Sequence, residues 1–181
     1  MAENELNRKK ILAWEMSGIL FIIMLGSAFH FVFELSGGIK AVALIGAVNE
    51  SVWEHLKIGF WPAFILAVAE FFVFGKKAVN FILAKGVSFT LLGILIAGIY
   101  YASEAIGIEG FIIHAVNFAV SIAIAQIVSY RIILIQKCSR ALNIIGSLLV
   151  VINILAFSLL TYFPLHLPLF KDPISGGYGI F

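Results

Sequence analysis

Five long apolar stretches, at residues 12–34, 52–74, 79–102, 110–134 and 141–162, dominate the 181-residue chain. A helix rises about 1.5 Å per residue and a bilayer's hydrocarbon core is about 30 Å thick, so each stretch is long enough to cross. Inside lipid only a helix or a closed barrel satisfies its own backbone donors and acceptors, and runs of this length are helical. The chain therefore reads as an all-α, polytopic membrane bundle of five transmembrane helices, one integral membrane domain over residues 1–181. Composition agrees: 62% hydrophobic and 12% charged residues leave too little polar surface to cover a water-soluble globule of this size. Cys138 is the only cysteine, which excludes an intramolecular disulfide. A formal charge of +2, with no basic run interleaved with aromatics, points away from nucleic acid and leaves the lipid bilayer as the expected partner. A signal peptide over residues 1–28 fits less well, because Glu15 interrupts the apolar run and hydrophobicity continues to Phe33.

The cations orient the bundle. Arg8, Lys9 and Lys10 precede the first span, Lys76 and Lys77 separate the second from the third, and Arg131, Lys137 and Arg140 separate the fourth from the fifth. These are alternate ends, and the positive-inside rule makes them cytoplasmic, giving an N-in/C-out multi-pass protein of the cytoplasmic membrane. Segment 39–48 is too short to cross, and behind Gly37 and Gly38 it reads as an outer re-entrant or interfacial piece. Tail 163–181 holds three of the four prolines, so it is not helical; its apolar residues suit packing back over the outer helix ends.

Ionisable residues inside a membrane are costly, and their placement carries most of the functional information. In the inner half, Glu15, Glu70, Lys85 and Arg131 read as interhelical pairs or snorkelling groups, with Glu70 and Lys85 at matching depth. The outer half gathers Glu34, Glu50, Glu54, Glu104, Glu109 and Asp172 with all four histidines, His30, His55, His114 and His166. The densest run is Asn49-Glu50-Ser51-Val52-Trp53-Glu54-His55-Leu56-Lys57. Ser51 and Glu54 have capping-box spacing and Trp53 suits an interface, which leaves Glu50 and His55 without a structural role. His30 and Glu34, four apart, share one face of the first span, and His114, Asn117 and Ser121 share a face of the fourth. The expected site places His30, Glu34, His55 and His114 around a divalent metal such as zinc. Glu50 and Glu54 would be its acid–base carboxylates, and Asn49, Trp53, Lys57 and Asn117 its substrate contacts. Three further features read as architecture: Pro62 should kink the second span and free the Ile58 carbonyl, Gly93 and Ala97 form a small-residue face, and Asn153 joins helices.

The run Asn49 to Lys57, with His30, Glu34 and the tail residues Pro168, Leu169, Phe170, Asp172, Pro173, Tyr178, Gly179 and Ile180, resembles an uncharacterised family of small bacterial integral membrane proteins. The resemblance implies no activity. From the residues themselves, the leading expectation is a metal-dependent hydrolase or transferase acting on a lipid or other polar ligand at the outer leaflet. The alternative is a transporter or solute-binding protein using the same pocket, where a homodimer would offset the small size and missing inverted repeat. Haem ligation by two histidines and a purely structural partner protein complete the set.

Overall fold

The computed structural model describes residues 7–180. Asn7 opens the first helix by accepting the Lys10 N–H at 3.0 Å, and Ser51 and Ser139 cap the second and fifth in the same way. The helices are α1 (Arg8–Leu35), α2 (Val52–Val73), α3 (Phe81–Ala105), α4 (Phe111–Ile133) and α5 (Arg140–Leu159). All five are long and apolar enough to cross a membrane, and their ends fall within four residues of those expected from the apolar stretches. Among the described residues the only β feature is an isolated bridge between Lys171 and Tyr178.

Consecutive helices run in opposite directions. Neighbours α1–α2, α2–α3, α3–α4 and α4–α1 close a four-helix ring, and α5 docks on the outside of α3. Helix α2 is the most buried, whereas α5 buries only Gly146 and Phe157. Large apolar side chains such as Met24, Phe31, Ile94, Phe111 and Ile152 point outward, as a lipid-facing surface requires. The chain therefore has the architecture of a multi-pass membrane protein.

Lipid tails are as apolar as leucine, so such helices are held by close packing and interhelical hydrogen bonds rather than by hydrophobic burial. Pro62 lacks an N–H and leaves the Ile58 carbonyl without its helical partner. That carbonyl lies against Gly26 of α1, where a Cβ would meet it at 2.8 Å. The closest helix contact is not at Gly93, whose Cβ would find ordinary space 3.6 Å from Leu56. It lies at Gly86 of α3 and Gly146 of α5, where a Cβ on either would strike the other helix's backbone at 2.4–2.5 Å. Asn153 donates to Thr90 Oγ1 (2.9 Å) across the same interface. Asn117 donates to the Ile96 carbonyl (2.9 Å), joining α4 to α3. Stacked rings of Phe60, Phe157 and Trp53, with Phe170 tilted against Trp53, continue the core from α2 and α5 into the tail.

The α1–α2 connection and the tail close one end of the bundle. Gly37 and Gly38 adopt positive φ (73° and 78°) and turn the chain back, so that the Ala47 N–H reaches the Phe29 carbonyl, six residues inside α1. Gly46 is pressed against Val32 and Phe33 of α1, with no room for a side chain. In the tail Phe170 is buried on Trp53, the Tyr162 hydroxyl donates to the Lys40 carbonyl (2.7 Å), and the Asn49 amide donates to the Gly179 carbonyl (2.9 Å).

The α3–α5 crossing yields a direct test. Gly146→Ala should lower unfolding stability in detergent by about 1–3 kcal/mol through overpacking, while Gly93→Ala should be near neutral. Equal effects would show that the crossing is not where the helices are held.

Candidate functional site

Helix α2 starts at the closed end of the bundle, and its first two turns carry two separate polar clusters. The first is sealed. Lys57 and Glu54, both fully buried, form an ion pair, and Lys57 Nζ also donates to the Ala43 carbonyl (2.7 Å) and Thr161 Oγ1 (3.0 Å). The Thr161 hydroxyl donates in turn to Glu54 Oε1 (3.0 Å), and the Val48 N–H donates to Glu54 Oε2 (3.1 Å). The α1–α2 loop and the end of α5 thus converge on this one pair. Only half of the expected capping box forms, because the Glu54 carboxylate is committed here; Ser51 N–H donates instead to Asn49 Oδ1 (2.9 Å).

The second cluster is half-exposed. Glu50 Oε2 lies 3.4 Å from His30 Nε2 and 3.7 Å from His55 Nε2, and the two imidazole rings are 5.2 Å apart. One ligand atom from each of His30, Glu50 and His55 falls within 4.8 Å of the others. His55 Nδ1 donates to the Ser51 carbonyl at 2.9 Å, which fixes the ring and directs the Nε2 lone pair at Glu50. Around a tetrahedral zinc ion, ligand atoms stand about 3.3 Å apart, so the observed spacing is close to that of a first shell. His114 lies near enough to His55 to act on it electrostatically, its ring packs over Tyr100 at 5.0 Å, and its buried Nδ1 has no hydrogen-bond partner.

The tail adds a buried carboxylate of its own. Asp172 accepts hydrogen bonds from the N–H groups of Ile174 and Ser175 and from the Ser175 hydroxyl, and the Glu50 backbone lies near enough to favour its charge. Burial works against its charge, but these donors win and hold the carboxyl below the usual carboxylate range.

Of the ten residues singled out from the sequence, His30, Glu50 and His55 meet and His114 stands beside them. Glu34 is exposed one helical turn beyond His30 and outside the cluster, since i, i+4 spacing aligns a face but the loop beneath closes nearer His30. Glu54 and Lys57 face the sealed side. Trp53 is buried between Phe157 and Phe170, Asn117 is spent between α3 and α4, and Asn49 ties the loop to the tail. Thr161, Asp172 and the Ala43 carbonyl were not among the candidates. No sequence signal joins groups more than 100 residues apart, and a backbone carbonyl has no signal at all.

Comparison with known proteins places this geometry in context. Residues 1–180 match a family of unknown function, DUF6512, and the chain belongs to that family. No curated protein and no solved structure matches it.

The sealed pair predicts an asymmetric mutant series. Lys57→Met leaves a buried carboxylate without its counter-charge and should cost about 3–5 kcal/mol in detergent unfolding, whereas Glu54→Leu combined with Lys57→Met should recover most of that loss. A double variant as unstable as the sum of the singles would contradict the pairing.

Proposed function

We propose that this protein binds a zinc-type divalent cation at His30, Glu50 and His55, and that the site opens on the extracytoplasmic side of the membrane. The observation that carries this reading is the orientation of His55. With Nδ1–H given to Ser51, the neutral ring presents an acceptor at Nε2, and it faces a Glu50 oxygen that is also an acceptor. With the ring neutral, two acceptors stand face to face, and a bound cation between them would relieve the repulsion. Soft-to-borderline imidazole nitrogens with one carboxylate form a donor set suited to zinc, and three protein ligands leave a position open. The orphaned Nδ1 of His114 offers a fourth donor or a partner for a bound water.

Orientation follows from the cations. Arg8, Lys9, Lys10, Lys76, Lys77, Arg131, Lys137 and Arg140 all lie at the bundle end opposite the His cluster, which the positive-inside rule assigns to the cytoplasm. A metal with an open position at the outer boundary activates water and polarises a carbonyl or phosphoryl group, so the chemistry supported is metal-assisted hydrolysis or group transfer on a lipid or envelope substrate. Glu50 belongs to the metal in this reading, and Glu54, locked to Lys57, takes no part as a base.

Purified protein freed of metal and titrated with zinc should bind about one equivalent per chain. His30→Ala, His55→Ala and Glu50→Gln should each lower affinity by at least about tenfold, with Glu34→Gln as a neutral control. Protons compete for the imidazole nitrogens, so affinity should fall as pH is lowered from about 8 to about 6, with protons released on binding. Unchanged affinity in all three variants would overturn the site.

A further inference from the structure

The opposite end of the bundle buries a second ionic cluster that the metal reading does not use. Glu15 of α1 and Glu70 of α2 are 0% exposed, and Lys85 of α3 is 3% exposed. Lys85 Nζ stands 2.8 Å from Glu15 Oε1 and 2.5 Å from Glu70 Oε2. From α4, the Ser129 hydroxyl donates to Glu15 Oε1 (2.7 Å), and the Gln126 amide contacts the Glu15 carbonyl. One helix each supplies the two acids, the base and the neutral donors.

The charge does not balance. Two carboxylates and one ammonium, all buried between helices and beside the Phe81 ring, leave a net negative charge. Among the described residues, Lys85 is the only cation within ion-pair distance of Glu15 or Glu70. Three buried carboxylate oxygens, Glu15 Oε2 and both of Glu70, have no hydrogen-bond partner, and Glu70 Oε2 has only its ion-pair contact with Lys85. Structural pairing of Glu70 with Lys85 would need only one acid; the second acid and the orphaned oxygens call for one more positive charge.

We propose that the Glu15–Glu70–Lys85 triad is a proton-binding site that holds one exchangeable proton inside the membrane domain. Glu15 Oε1 receives both the ammonium and the Ser129 hydroxyl, which favours Glu15 as the carboxylate. Glu70 has only the Lys85 contact and is the acid. Binding converts the Glu70 carboxylate to a carboxylic acid by forming one O–H bond, Lys85 remains an ammonium ion, and the cluster becomes neutral. Because the triad joins α1, α2 and α3, gain or loss of the proton acts on the packing of three helices at once.

Infrared difference spectroscopy on the full-length protein in lipid tests this through the carbonyl stretch of protonated carboxyl groups. At neutral pH the wild-type protein should show a band that both Glu70→Gln and Glu15→Gln remove, since each leaves a balanced acid–lysine pair. Lys85→Met should instead double it, because both acids then take up protons. As a second readout, unfolding stability of the wild type should decline as pH rises and the proton is lost, while Glu70→Gln should be flat over the same range. The Gln variants relieve the excess charge and should fold even if Lys85→Met does not. Absence of any band that Glu70→Gln removes would refute the proposal. So would a band that appears only in sodium-free buffer, which would identify the resident cation as sodium.

Discussion

A charged side chain drawn into the hydrocarbon region has no water to fall back on, so the protein must supply every partner. The Glu54–Lys57 pair meets this requirement, and the closed end of the bundle is organised around it. Its hydrogen bonds come from the α1–α2 loop through Ala43 and Val48 and from the end of α5 through Thr161. Ala43 and Val48 lie in the loop just before α2, whereas Thr161 is more than 100 residues further along the chain. A pair that is worthless or costly when half-made thus fixes where the loop and the tail must lie.

Placement of the histidine cluster follows from that arrangement. Val48, bonded to Glu54, leads within two residues to Glu50, and Asn49 between them is tied to the tail at the Gly179 carbonyl. Helix α2 delivers His55 one turn beyond its Ser51 cap, and α1 delivers His30 close to the point where Ala47 meets Phe29. Three ligand-type atoms from three elements therefore come together on a scaffold whose rigidity lies in the adjacent buried pair. Neighbouring residues of one helix, Glu54 and His55, serve different purposes because successive positions turn about 100° around the axis.

The five spans and their alternation were legible because bilayer thickness sets a length that composition must match. His30, Glu50, His55 and His114 were legible as a group because ionisable residues at a shared depth are rare enough to stand out. Depth alone does not resolve which side of a helix meets which neighbour. Lys57 and Glu54 shared the depth of the histidines but face Thr161, and Glu34 shares a face with His30 but projects beyond the loop. The α3–α5 crossing is not legible for a similar reason: Gly86 and Gly93 are both small residues on α3, and only the partner glycine on α5, Gly146, distinguishes them. Glu15 was read apart from Glu70 and Lys85 because α1 enters the inner end from the chain start, and sequence spacing says nothing about which helices close the ring.

The claim on which the functional account turns is that imidazole nitrogens of α1 and α2 share one metal with Glu50. X-ray absorption at the zinc edge of the zinc-loaded protein reads that first shell directly. The account predicts a four- or five-coordinate site with two imidazole nitrogens at about 2.0–2.1 Å, carboxylate oxygen at about 2.0–2.2 Å and the outer-ring scattering characteristic of histidine. A shell of oxygen ligands alone, without imidazole scattering, would contradict it.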